Sequence, residues 1–255
     1  MLPWLSLKST VEMETPRVLR LLGSSPFVLL CDHASNRIPD ELNQLGLASV
    51  DLARHIAWDI GAAGVTEALS EIFDAPAILC NTSRLVIDCN RQLNAHDLIP
   101  EVSDGTAVPG NAKLAESAKA QRVERFFRPY HNAIEAVLME RAARGVAPPI
   151  VVSIHSMTAC LAGENRPWQI ALSSFVDRSL AEPLLASLRQ DADIVVGDNE
   201  PYDLDPRVDY SIPEHALSRG LQHLQVEFRN DVIADRDAQH QWALRFAGAL
   251  RAVRG

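Results

Sequence analysis

The chain has 255 residues, 47% of them hydrophobic, and a formal net charge of −9. That is enough apolar material for a central sheet covered on both faces, in one large α/β domain or two small ones. The negative charge argues against nucleic acid or an anionic membrane surface as the main partner, and no apolar stretch approaches the ~20 residues a membrane helix needs.

Residues 1–25 read as a peripheral N-terminal segment that ends in the turn Gly23-Ser-Ser-Pro26. The start, Met1 to Lys8, lacks the basic stretch and long apolar core of a signal peptide. A strand is predicted at 27–31, where the apolar run Phe27-Val-Leu-Leu-Cys31 is cut off by Asp32-His33. Ligands in open α/β sheets sit at such carboxyl edges. A helix is predicted over about 50–73, with His55 and Asp59 in its first part.

Strands at 77–80 and 85–89 follow. In the second, Arg84, Asp88 and Asn90 fall at even spacing and would share one face, with Leu85, Ile87 and Cys89 on the other. An internal Arg84–Asp88 ion pair is one reading of that face. Arg91 is then left over, a planar fork suited to a carboxylate. The segment 92–110, rich in Asn, Asp, Pro and Gly, reads as a loop. A helix over 111–145, capped by Asn111, is expected to kink or split at Pro129.

The run Ile150-Val-Val-Ser-Ile-His155 repeats the pattern of the first strand, an apolar stretch ending in histidine. His33 and His155 could therefore converge on one metal ion, or each could be a hydrogen-bonded histidine at a strand end. Strands at 169–173 and 193–197, a helix at 177–190, and a loop at 198–214 with three prolines come next. The strand 224–228 alternates Leu224, Val226 and Phe228 with Gln225, Glu227 and Arg229. Glu227 is either a solvated face residue or a general base beside the site. A helix over 235–253 closes the chain.

Alternation of strands and helices, with no flexible linker, predicts a single α/β domain over 26–255. The four cysteines have no metal-knuckle or Cys-x-x-Cys spacing, and three lie in or beside predicted strands, which fits reduced core thiols and a cytoplasmic location. No Gly-x-Ser-x-Gly elbow and no Gly-rich phosphate loop is present.

Five motifs in order resemble the N-formylglutamate amidohydrolase family: Asp32-His33-Ala-Ser, Ser83 to Arg91, Arg128-Pro-Tyr130-His131, Ile154-His155-Ser156 and Gln225-Val-Glu227. The resemblance spans roughly residues 26 to 245. It implies an α/β/α sandwich with a mixed, mostly parallel sheet, related to aspartoacylases, succinylglutamate desuccinylases and zinc carboxypeptidases. It also implies one catalytic zinc and hydrolysis of N-acyl amino acids. The carboxypeptidase relatives carry a glutamate three residues after the first histidine, where this chain has Asn36, a poor zinc ligand. Asp59 is the preferred replacement, with His55 as its competitor. Between Asp198 and His215 the chain also lacks the Gly-rich, Arg-His-Tyr segment of formylglutamate-specific members.

The mechanism so implied has His33, Asp59 and His155 holding zinc, Glu227 as general base and Arg84 steadying the oxyanion. Asn90 and Arg91, with Asp88 fixing the arginine, would bind the substrate's α-carboxylate. Tyr130 and His215 would lie at the pocket. The partner expected is a small N-acyl amino acid, with no nucleic acid or membrane, and association into a homo-oligomer is left open. The alternative is a non-catalytic protein that keeps the pocket for binding a metal or a small molecule.

Overall fold

The computed structural model describes residues 15–254, without the side chain of Arg254. A seven-stranded sheet runs in the order β1-β3-β2-β6-β11-β9-β10. Its strands are β1 (Arg17–Leu19), β2 (Phe27–Cys31), β3 (Ala77–Leu79), β6 (Ile150–Met157), β9 (Ile170–Ser173), β10 (Val196–Asp198) and β11 (His223–Arg229). Two small hairpins lie outside it, β4 (Val102–Ser103) with β5 (Thr106–Ala107), and β7 (Cys160–Leu161) with β8 (Glu164–Asn165). Strands β3, β2, β6 and β11 are mutually parallel and β9 is parallel to β10, whereas the β1–β3 and β11–β9 pairs are antiparallel. The sheet is thus mixed and mostly parallel, as expected.

The continuous apolar strands follow from burial on both faces. Along β2, Phe27, Leu29 and Cys31 enter one core, and Val28 and Leu30 enter the other. The first core is closed by α2 (Ala62–Phe73), α5 (Ala181–Leu188) and α7 (Arg236–Arg254). The second is closed by α4 (Arg128–Ala143) and by the segment around Leu85 to Cys89. The short helices α1 (Ser49–Leu52), α3 (Glu116–Arg122) and α6 (Ser211–His215) complete the α/β/α sandwich. Among the described residues, no helix is long and apolar enough to cross a membrane.

Four expected elements change form. The segment 85–89 is not a strand: Leu85, Val86, Ile87 and Cys89 all enter one core, and the backbone is compact turns. Its carbonyls are satisfied by side chains instead of a ladder, Leu85 O by Asn111 and Val86 O by Arg122. Asn111 is therefore a buried bridge and not a helix cap. The helix expected over 50–73 is interrupted, because residues 53–61 form turns before α2. Pro129 does not split its helix; a π-helical turn, Val123–Phe127, precedes it, and the proline sits in the first turn of α4. Finally, residues 17–19 of the N-terminal segment form the edge strand β1, while residues 1–14 lie outside the described residues.

Candidate active site

Three parallel strands bring the polar groups to one edge. β2 ends at Cys31 and the chain passes directly through Asp32 and His33. β11 pairs with β6 so that Glu227 stands opposite His155 and Gln225 opposite Ser153. Alternation then puts these four side chains on one face. Asp59 comes from the turn before α2, where its N–H donates to the His33 carbonyl at 3.0 Å. Gly61 makes that turn possible: its φ is +85°, and a Cβ there would stand 2.4 Å from the Ile233 carbonyl oxygen.

His33 Nδ1 and His155 Nδ1 lie 3.2 Å and 2.9 Å from Asp59 Oδ2, and all three residues are buried. The far nitrogen of each ring is held by another carboxylate. His33 Nε2 is 2.7 Å from Asp88 Oδ1, and His155 Nε2 is 3.1 Å from Asp32 Oδ2. Asp32 also accepts from the hydroxyls of Ser153 and Ser211. Burial alone would raise the carboxyls of Asp32, Asp59 and Asp88. The neighbouring imidazoles, and Arg84 beside Asp88, instead hold all three well below the usual carboxylate range. The same carboxylates push His33 and His155 up against the opposing effect of burial.

Glu227 differs. Burial raises its carboxyl to about 7, with Asp59 adding to the rise and His155 opposing it. Its Oε2 has no hydrogen-bond partner.

The donor set fits a divalent metal. Two imidazole nitrogens and a carboxylate oxygen, mutually within 4.8 Å, form a set that zinc uses when one position stays open. Tetrahedral ligands ~2.0–2.1 Å from one ion stand about 3.3 Å from each other, close to the spacings here. Carboxylates on the outer ring nitrogens are the usual means of orienting metal-binding histidines. Asn36 takes no part, since it donates to the Leu52 carbonyl. His55 lines the cavity but pairs towards Asp104, 3.4 Å away.

The cluster opens into a cavity of about 280 Å³, a size for a small molecule. Arg84 and Arg91 both reach its wall. Arg84 Nη2 donates to Asp88 Oδ2 at 2.6 Å, and Arg91 Nε donates to Asp97 Oδ2 at 2.9 Å. Asn90 is more committed than a substrate-gripping residue needs to be. Its amide donates to Asp209 and accepts from the N–H groups of Tyr210 and Ser211, tying down the loop above the cavity.

Tyr130 and His215 do not line the cavity. Tyr130 is buried in the second core, and His215 Nε2 lies 2.9 Å from His131 Nδ1 within an aromatic cluster that includes Phe127 and Tyr210. Sequence reasoning missed Asp32 as the support of His155, and missed Gln225, Arg166 and Tyr202 on the cavity wall. Arg166 donates to Tyr202 Oη at 2.8 Å, joining the β7–β8 hairpin to the loop after β10. Glu227 could have pointed to Gln225, because residues two apart on a strand share a face.

Fold and site together define a class: an α/β/α hydrolase with a metal-competent pocket at the carboxyl edge of its sheet. A family model described as N-formylglutamate amidohydrolase matches residues 25–234, and the chain belongs to that family, as an amidohydrolase-like hydrolase. The solved structure of gene product Atu2144 from Agrobacterium tumefaciens is similar, with 34% identity and a TM-score of 0.89 over 96% of this chain and 98% of that one. The N-formylglutamate amidohydrolase of Ralstonia eutropha JMP134 shares the fold, with 18% identity and a TM-score of 0.63 over 91% and 95%. Comparison with curated proteins gave no match.

Proposed function

We propose that the protein is a zinc-dependent amidohydrolase that cleaves the amide bond of an N-acyl amino acid of the N-formyl type. One observation carries this reading: the buried His33–Asp59–His155 cluster faces a cavity beside Glu227, a buried acid whose Oε2 has no partner. Zinc held by these three residues would polarise an amide carbonyl and acidify a water at its open position.

The chain's own residues supply the rest. Glu227, with a carboxyl near 7, is poised to take a proton from the attacking water and return it to the leaving nitrogen. Asp59 already lies between the two imidazoles, so Glu227 is free to act as base and not as a ligand. Arg84, held by Asp88, places its positive charge on the cavity wall where negative charge grows on the carbonyl oxygen. Arg91 offers its remaining guanidinium donors to the substrate's carboxylate.

The test is a screen of N-formyl, N-acetyl and N-succinyl amino acids with wild-type protein and Glu227→Gln, with zinc content measured on the same samples. Hydrolysis by the wild type, lowered ~10²–10⁴-fold in kcat with zinc retained in the variant, is expected. A zinc-loaded wild type that hydrolyses none of them would favour a binding protein instead. Lost zinc in the variant, with activity restored at excess metal, would make Glu227 a ligand.

A further inference from the structure

Strand β11 brings a second unsatisfied group to the cavity. Gln225 is 4% exposed, lines the cavity, and its Oε1 has no hydrogen-bond partner. A buried acceptor with nothing to accept is costly, and such groups are normally paired.

The two residues beside it on the neighbouring strands cannot supply the missing donor. Gln225 stands between Ser153 on β6 and Ser173 on β9. The Ser153 hydroxyl donates to Asp32 Oδ2 at 2.9 Å, and the Ser173 hydroxyl donates to the Tyr202 carbonyl at 2.6 Å. Both flanking hydroxyl protons are spent, so the carboxamide is left facing the cavity.

Its position narrows what could satisfy it. Glu227 is two residues further along the same strand and face, about 6.6 Å away at strand spacing. A secondary amide between the two side chains has one hydrogen-bond donor near its reacting centre, the N–H. The nitrogen that bears this hydrogen is also the atom to which Glu227 must return a proton as the bond breaks.

We infer that Gln225 Oε1 accepts the N–H of the scissile amide and thereby selects N-acyl derivatives of primary amines, such as N-acyl amino acids, over esters. This rests on the proposed amidohydrolase function and adds a specificity residue to it. Gln225 holds the substrate hydrogen in place, so that the nitrogen lone pair developing as the amide pyramidalises turns towards Glu227. Sites built to bond a substrate N–H reject analogues that lack it, because their own acceptor is then left unpaired.

The experiment compares an N-acyl amino acid with the O-acyl ester of the matching 2-hydroxy acid, which replaces N–H by oxygen with little change in shape. Wild type and Gln225→Met are assayed on both, with zinc content and thermal unfolding recorded. The expected result is a fall in kcat/KM of ~10-fold or more on the amide, little change on the ester, and unchanged zinc. Gln225→Asn keeps the carboxamide but withdraws it by one methylene. It should show the same selective loss, and it carries the test if the Met variant does not fold. Equal losses on both substrates, or none on either, with an active wild type, would overturn the role of Gln225 alone. A wild type inert to every N-acyl amino acid would overturn the amidohydrolase reading, and this inference with it.

Discussion

The support that Asp32 gives His155 can be tested by Asp32→Asn. The side chain is 1% exposed and lies 3.1 Å from His155 Nε2. As a carboxylate it can only accept, so it fixes the proton on Nε2 and leaves Nδ1, which faces Asp59, as the nitrogen that gives up its proton when a metal binds. Asparagine keeps the shape but removes the charge. It can also turn its NH₂ towards the ring, favouring the tautomer with the proton on Nδ1, which cannot bind metal. A hydrogen bond to a charged group is worth about 1.5–3 kcal/mol, or ~10–100-fold in a binding constant. Loss of such outer support typically weakens metal binding over the same ~10–100-fold range. Competition with a chromogenic chelator should therefore show zinc bound ~10–100-fold more weakly by Asp32→Asn, with circular dichroism unchanged. His155→Ala, measured alongside, should lose the site. Wild-type zinc affinity in Asp32→Asn, with the loss in His155→Ala intact, would refute the tautomer argument.

Three further outcomes follow from the geometry. Arg91→Lys keeps the charge but loses the planar fork, so KM for N-acyl amino acids should rise ~10–100-fold, while the corresponding carboxamides change little; equal effects on both would remove Arg91 from carboxylate recognition. Gly61→Ala forces a Cβ against the Ile233 carbonyl at a φ of +85° and should cost at least ~1–3 kcal/mol in urea unfolding; a neutral result would mean that the turn bearing Asp59 relaxes easily. Burial, with the charge of His215, lowers His131 to about 3, and burial, with the charge of Arg219, lowers His215 to about 4. Both therefore fold neutral, and their contribution is full above the unfolded value of ~6.5 and lost as pH falls through about 4 to 3. For His215 this amounts to about 3 kcal/mol. A His131→Gln, His215→Gln double variant should lose less stability than wild type between pH 6.5 and 4, and parallel pH curves would contradict the assignment.

The strands that carry the chemistry were legible because their physics is local. A parallel strand buried on both faces must be continuously apolar, and an abrupt Asp-His or Ser-Ile-His at its end stands out against that run. His33 and His155 stand out in this way, whereas Glu227 lies in an alternating strand and is marked as a base by the family resemblance. The segment 83–91 shows the limit. Its short apolar run fits a strand or a buried turn equally well, and periodicity cannot separate them. Even spacing placed Arg84 beside Asp88, and they do pair, but as residues four apart in a turn whose carbonyls are met by Asn111 and Arg122. Asp59 was preferred as the third donor through the family resemblance, although the expected helix would have placed it mid-helix. The turn that brings it inward depends on Gly61 meeting Ile233, a contact 172 residues along the chain.

What the sequence conceals is the second ring of contacts. Asp32 is adjacent in the chain to His33, yet its carboxylate serves His155, and the carboxylate that serves His33 is Asp88. The supports are crossed because β2 and β6 are parallel neighbours, so a residue just past the end of one strand lies beside the side chains of the other. No spacing rule along one strand reports such a pairing. Tyr130 and His215 show the reverse: motif position for the first and a place before the Glu227 strand for the second suggest the pocket, but their helices turn them inward, where His215 meets His131. Residue type shows what chemistry a side chain can perform, whereas strand pairing decides which partner tunes it. In the proposed mechanism, metal affinity and proton transfer are therefore set largely by contacts that only the folded sheet creates.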